Sequence, residues 1–286
     1  MGIEHRVAIV TGGNSGMGMG ISRGLVEKGW KVAIVDIQEN SELAEELGDA
    51  ASFHNCNVAD YDRSQAEMFQ QVWDRYGRID ALCANAGIVD KRHCSSIFIF
   101  EHRGSDKIPP KPDLLCTDVD YKGVVYGTQL AIHFFRKNKV AGGKIIATAS
   151  VAGIVPHESF PEYDGAKAAV VNFVRATARI LKAKENIQIN AVCPGIVQTA
   201  ILPQGLIDAV SAECLTPVST VVSGFEKFLE DDTLYGRILE CSADKHFFLE
   251  PPTLANGHVS RKAVTVWEPA FKMYHGETSG LSDAIP

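Results

Sequence analysis

The stretch SVAGIVPHESFPEYDGAKAA, residues 150–169, is built mainly of small and apolar residues, yet it carries a hydroxyl at Ser150, a phenol at Tyr163 and an ammonium at Lys167. Tyr163 and Lys167 lie four residues apart in an Ala-rich segment, so on a helix they project from one face. A phenol with a free pKa near ~10 is a poor base at neutral pH. A cation ~5 Å away at an effective dielectric of ~20 favours the phenolate by about 3 kcal/mol, roughly two pKa units. The pair is therefore suited to act as a general base on an alcohol.

A second group of residues points to a nucleotide. TGGNSGMG, residues 11–18, follows an apolar strand-like run and precedes a helix-like one from about Met17 to Lys28. Glycines at 12, 16 and 18 let the backbone turn sharply and approach a pyrophosphate, which would rest on unpaired N–H groups at the helix start. Gly12, Asn14, Ser15, Gly16, Met17 and Gly18 are the expected contacts. The next run, KVAIVD, ends in Asp36, at the spacing of an acid that binds an adenosine ribose. A carboxylate there accepts from both ribose hydroxyls of NAD and repels the 2′-phosphate of NADP, and neither Ser15 nor Ile37 supplies a compensating base. NAD is the expected cofactor, and the positive ring of its oxidised form would add to the field on Tyr163.

These groups need elements to hold them. RVAIV, KVAIV, DALCA, KIIATA and IQINAV are short, nearly continuous apolar runs with helix-period stretches between most of them. Strands buried on both faces have this composition. The expected fold class is α/β, a Rossmann-type doubly wound parallel sheet with helices on both faces, in a single domain over 1–286. In DRSQAEMFQQVWDRYG, the residues Phe69, Val72, Trp73 and Tyr76 recur three or four apart, and Asp62 is placed to support the N-terminus. Three segments break the alternation. They are a surface insertion over about 88–112, an apolar lid over about 196–216, and a C-terminal tail over about 249–286 whose Pro, Gly and His predict partial disorder.

Composition narrows the partners. A hydrophobic fraction of 45% suits a globular core, and a net charge of -7 argues against a nucleic-acid partner or an anionic membrane surface. No run reaches the ~18 apolar residues that span a bilayer, and the opening MGIEHRVAIV passes too soon into a strand-like run for a signal peptide. Seven scattered cysteines with no C-x-x-C pair predict reduced thiols and a cytoplasmic setting. His93, Cys94 and His102 lack a metal-ligand spacing, so no metal is expected.

Taken together, Thr11-Gly12-x-x-x-Gly16-x-Gly18, Asn85-Ala86-Gly87, Ser150 thirteen residues before Tyr163, Lys167, and Pro194-Gly195 followed by Thr199 resemble the short-chain dehydrogenase/reductase family over residues 6 to about 200. The glycine spacing and the chain length are similar to its compact, classical type. KVAIVD, INAVCPGIVQTAIL and FLEDDTLYGRILECSADKHFF are similar to its NAD-dependent 15-hydroxyprostaglandin dehydrogenases. The resemblance implies roles. Tyr163 takes the hydroxyl proton, Lys167 lowers its pKa and holds the nicotinamide ribose, and Ser150 bonds the substrate oxygen. Asn57 and Val58 lie beside the adenine, Asn85, Ala86 and Gly87 line the cofactor floor, and Ile196 with Thr199 contacts the carboxamide, Pro194, Gly195 and Val197 being cofactor-binding in the same stretch. Asp120 stands where the family has a relay Asn that works mainly through its backbone carbonyl, so Asp120 is a catalytic candidate in the same role, although a carboxylate there would offset part of the Lys167 field.

The implied activity is transfer of a hydride between a hydrophobic secondary alcohol, or its ketone, and NAD. Ile154, Val155, Phe160, Ile201 and Leu202 are the candidate lining, with His157 in the same loop. Two other readings remain open: a ketoreductase of a biosynthetic intermediate, and a catalytically silent dinucleotide-binding scaffold. The helix-like AAVVNFVRATARILK is apolar over more than half its circumference, which with the resemblance implies a homodimer or homotetramer.

Overall fold

The computed structural model describes residues 5–90, 104–202 and 204–286. All five apolar runs are parallel neighbours in one sheet, as β1 (Val7–Thr11), β2 (Lys31–Asp36), β4 (Ala81–Ala84), β5 (Gly143–Thr148) and β6 (Ile187–Pro194). Sequence reasoning missed β3 (Ala51–Asn55), β7 (Ile238–Ser242) and β8 (Lys245–Leu249). These lie at the two ends of the order β3-β2-β1-β4-β5-β6-β7-β8, where polar residues interrupt the apolar run. β8 pairs antiparallel with β7, and every other pairing is parallel.

Successive residues of each strand point to opposite faces and feed two cores. Ile9, Val35, Leu82, Ile145 and Ile189 join one face, packed under α3 (Ala66–Tyr76), α5 (Gly123–Phe135) and α6 (Pro161–Glu185). Val10, Ile34, Cys83, Ile146 and Val192 join the other, under α1 (Gly16–Glu27), α2 (Ser41–Leu47) and α8 (Val218–Glu230). Phe69, Phe135, Phe225 and Phe228 are fully buried, each contributing about 1.5–3 kcal/mol by removal from water. The result is an α/β doubly wound sheet whose order reverses between β1 and β4. A crevice at the carboxyl ends of strands at such a reversal is where ligands of this architecture bind.

Phe69 and Val72 are fully buried on α3, and Trp73 and Tyr76 pack beside them. The chain enters that helix through a π turn, Tyr61–Gln65, and Asp60 rather than Asp62 accepts the Arg63 N–H at its start. α4 (Leu115–Thr117) likewise runs through a π turn, Asp118–Lys122, into α5.

Of the three irregular segments, 91–103 of the insertion, with His93, Cys94 and His102, lies outside the described residues. The 196–216 segment carries the short α7 (Gln204–Ala209) and is pinched at its ends by a bridge between Ile196 and Leu215. The tail departs from the expected disorder. It forms α9 (Gly257–Ala263) and α10 (Glu268–His275), with a bridge from Trp267 to Ile285. Asp283 and Glu277 pair with Arg179 and Lys184 on α6, and Ser279 is fully buried. Contacts to α6 supply the order that local composition does not. No helix among the described residues is long and apolar enough to cross a membrane.

Candidate active site

The glycine loop leaves β1 at the sheet reversal. Gly12 has φ +62° and Gly16 φ +49°, a region open to glycine without strain. A Cβ on Gly18 would lie 2.0 Å from the Gly12 carbonyl oxygen, so α1 packs against the loop backbone to a closeness no side chain permits. Ser15, the N-cap of α1, makes no side-chain cap bond, and the first turn holds no acidic residue. Its N–H groups are therefore free of internal competition for an anion, which fits the phosphates of a dinucleotide.

Asp36 faces this loop. Its carboxylate accepts from the Asn14 N–H at 3.2 Å and from the Ile37 N–H at 2.8 Å. The Asn14 side chain donates to the Gln38 carbonyl, and the Asn40 side chain donates to the Asn14 carbonyl at 3.0 Å. Asn14, Ser15 and Asp36 thus share a recess with Glu39 and Glu42, an acidic lip around the place expected for a ribose.

Thr11 joins the loop to the segment after β4: its hydroxyl accepts from the Asn85 and Ala86 N–H groups, each at 3.0 Å. Thr148 donates to the Asn85 side-chain oxygen at 3.1 Å, so the ends of β1, β4 and β5 are bonded together.

Next to this junction is a mainly apolar cavity of about 180 Å³. Met17, Asn85, Gly87, Asp120, Ser150, Tyr163, Lys167, Pro194, Gly195, Ile196, Val197 and Thr199 all line it. Residues from six separate parts of the chain thereby meet at the carboxyl edge of the sheet. Asn57 and Val58 do not join them. Asn57 turns its side-chain oxygen back to the Ala59 N–H, and Val58 packs against Gly123. Ile37 is 64% exposed beside the acidic recess.

Among the expected apolar lining, Phe160, Ile201 and Leu202 face the cavity, whereas Ile154 and Val155 do not. A tight turn, Val151–Gly153, packs on the α6 backbone so closely that a Cβ on Gly153 would lie 2.7 Å from the Lys167 carbonyl carbon. The chain leaving that turn points Ile154 and Val155 to solvent, and Val151, Ala152, Val89 and Leu206 take their places. His157 sits at the rim. The Ser159 N–H donates to its Nδ1 at 3.2 Å, which places the proton of the neutral ring on Nε2.

Within the cavity Lys167 is almost completely buried. Its ammonium donates to the Thr148 carbonyl at 2.8 Å, lies 3.0 Å from the Asp120 carboxylate, and sits 5.5 Å from the Tyr163 ring centre. Asp120 is fully buried and accepts from the Ile88 N–H at 2.8 Å. Burial works against the Lys167 charge, but the Asp120 carboxylate and the phenol outweigh it and hold the amine above its usual range. Burial also pushes the Asp120 carboxyl up, against the pull of Lys167 and the Ile88 N–H.

Tyr163 departs from the lowered pKa that its spacing from Lys167 predicts. Burial raises it, and Asp120 pushes in the same direction, so the opposing effects of Lys167 and a hydrogen bond with Ser150 do not prevail. The helical arrangement of phenol and amine holds, while desolvation and a second charge reverse the electrostatic result.

Sequence reasoning overlooked Asp90. Its carboxylate accepts the Tyr163 N–H at 2.8 Å and the Glu162 N–H at 3.3 Å, capping the helix that carries the phenol. Glu162 in turn accepts the Thr117 N–H at 2.8 Å, tying α4 to α6. Nothing local marks Asp90 in GIVDK, because its helix begins seventy residues later.

The profile of the short chain dehydrogenase family matches residues 6–205, more than half of the chain. The short-chain dehydrogenase/reductase prx6 of Penicillium rubens is 51% identical, over 99% of this chain and 98% of its own. Human 15-hydroxyprostaglandin dehydrogenase [NAD(+)] is 28% identical, over 86% of this chain and 95% of its own. A solved 3-ketoacyl-(acyl-carrier-protein) reductase from Brucella melitensis, complexed with NADH, superimposes with a TM-score of 0.71 at 23% identity, over 84% of this chain and 97% of its own, and attests the fold. With the glycine turn, the Ser-Tyr-Lys cluster and a profile match from the first strand to the lid, the chain belongs to the short-chain dehydrogenase/reductase family.

Proposed function

We propose that this protein is an NAD-dependent oxidoreductase acting between a hydrophobic secondary alcohol and the corresponding ketone. The observation that carries the reading is the meeting of Ser150, Tyr163 and Lys167 in one apolar cavity beside the glycine loop. A bound nicotinamide dinucleotide would supply or accept the hydride. The protein's share is to place the substrate oxygen between Ser150 and Tyr163, to move its proton at the phenol oxygen, and to exclude water with Phe160, Ile196, Ile201, Leu202 and Leu206.

Lys167 would hold the nicotinamide ribose, and Asn85, Gly87, Pro194, Gly195, Ile196, Val197 and Thr199 the ring end. Asn57 and Val58 would lie toward the adenine. Asp36 and the acidic lip support NAD over NADP, because a 2′-phosphate would meet three carboxylates and no cation from Ser15 or Ile37. The 196–216 segment would act as the lid, with its bridged ends as hinges. The scattered cysteines, with no C-x-x-C pair, support a reducing, cytoplasmic setting.

The test is binding of NADH and NADPH by nicotinamide fluorescence, followed by a screen of apolar secondary alcohols and ketones with wild type and Tyr163→Phe. Turnover lost in Tyr163→Phe supports the reading, and equal turnover removes it. A homodimer or homotetramer is part of the proposal, checked by light scattering after size exclusion; a monomer at micromolar concentration contradicts it.

A further inference from the structure

We propose that Asp120 offsets part of the charge of Lys167 at the phenol and, together with burial, leaves Tyr163 protonated through the neutral range as the proton donor to a ketone oxygen. This deepens the oxidoreductase reading above and rests on it. An ammonium alone favours a neighbouring phenolate through its full charge. Here a carboxylate lies 3.0 Å from the same nitrogen, and both groups are shut away from water, with side-chain exposures of 3% and 0%. At the phenol the carboxylate works against the ammonium, adding to the larger effect of burial.

Three further contacts fix the arrangement. The Ile88 N–H holds one Asp120 oxygen at 2.8 Å, and the Thr148 carbonyl holds the ammonium at 2.8 Å. A Cβ on Gly87 would come within 3.1 Å of Asp120 and 3.2 Å of Lys167, so the strand end closes over the pair. Asp120 itself sits in the π turn between α4 and α5, a backbone form that recurs at functional sites.

The protein's other groups around the phenol do not restore a positive field. Cys116 of α4 is a buried thiol whose pKa is pushed up by burial, Asp90 past β4 and Glu162 in the first turn of α6 are acids, and Ser150 is neutral. Asp164, the next α6 residue, is an acid turned to the His157 N–H, and His157 stands at the rim.

In the step itself the Tyr163 O–H bond breaks and a new O–H bond forms on the carbonyl oxygen as its carbon gains a hydride from a reduced nicotinamide dinucleotide. The tyrosinate left behind takes a proton from water. Alcohol oxidation needs the phenolate at the outset, so its rate should climb with pH, from a starting point set partly by the positive ring of the oxidised dinucleotide.

The deciding measurement is titration of phenolate absorbance in the absence of dinucleotide, as the difference between wild type and Tyr163→Phe. The wild-type midpoint should lie above the ordinary phenol value of 10.0. Asp120→Asn keeps the volume and an acceptor for the Ile88 N–H, and should lower the midpoint by about one unit. In steady state, ketone reduction should stay level into alkaline pH while alcohol oxidation climbs, and the climb should move to lower pH in Asp120→Asn. A wild-type midpoint below 10.0, or one unmoved by Asp120→Asn, overturns the proposal; should that variant not fold, the wild-type titration still decides. The expected titration without turnover of any alcohol or ketone upholds the charge relationship and overturns the oxidoreductase reading.

Discussion

The Asp90 carboxylate accepts the backbone N–H of Tyr163 at 2.8 Å, so a residue just past β4 anchors the first turn of the helix that presents the phenol. Asp90→Ala removes an acid from the positive end of a long helix and leaves its first N–H groups unpaired. The expected cost is about 1 kcal/mol, a fall of roughly 2–4 °C in melting temperature. Because the cap also sets the direction of Tyr163, kcat should fall several-fold with little change in KM, while Asp90→Asn should recover most of both. Calorimetry and initial rates on the three proteins check this.

Asp36 is already bonded to the Asn14 and Ile37 N–H groups, so it cannot swing aside for a 2′-phosphate. NADH should bind at least tenfold more tightly than NADPH. Ile37→Arg places a cation at an exposed position beside the recess and should narrow that ratio, and adding Asp36→Ser should invert it. Fluorescence titration with both dinucleotides reads the outcome; a wild type that prefers NADPH contradicts the assignment.

Gly18→Ala inserts a methyl group 2.0 Å from the Gly12 carbonyl oxygen, where backbone must move. Overpacking of this kind costs about 1–3 kcal/mol. The shift falls on the phosphate loop, so dinucleotide affinity should drop more than tenfold. Gly165→Ala, on the same helix as Tyr163 but with open space around it, is the matched control and should leave stability and affinity nearly unchanged.

His54 is buried at the edge of the sheet, with one ring nitrogen 2.9 Å from the Ser52 hydroxyl and the other 3.2 Å from the Gln71 amide oxygen. Burial lowers its pKa below the ordinary imidazole value of 6.5, with the nearby Arg75 acting the same way and the Gln71 bond opposing. The folded protein therefore binds this proton less readily than the unfolded chain. Its contribution is fully present above pH 6.5 and is lost as pH falls below it. The urea midpoint should decline between pH 7 and pH 5, and His54→Gln should flatten part of that decline.

Much of the site is written locally. Glycines spaced for a sharp turn and close packing, and a phenol and amine one helical turn apart, are consequences of backbone geometry that neighbouring residues decide, as is the alternation that builds the central strands. The edge strands β3 and β8 escaped notice because their polar residues hide that pattern. Tertiary structure alone decided the groups that act across the sheet. Asp90 reaches α6, the Val151–Gly153 turn sends Ile154 and Val155 outward, and the tail docks on Arg179 and Lys184. Whether Lys167 acidifies Tyr163 belongs to this second class. Spacing sets only their distance, whereas the field at the phenol depends on burial and on every charge that folding brings near, including one from a π turn more than forty residues upstream.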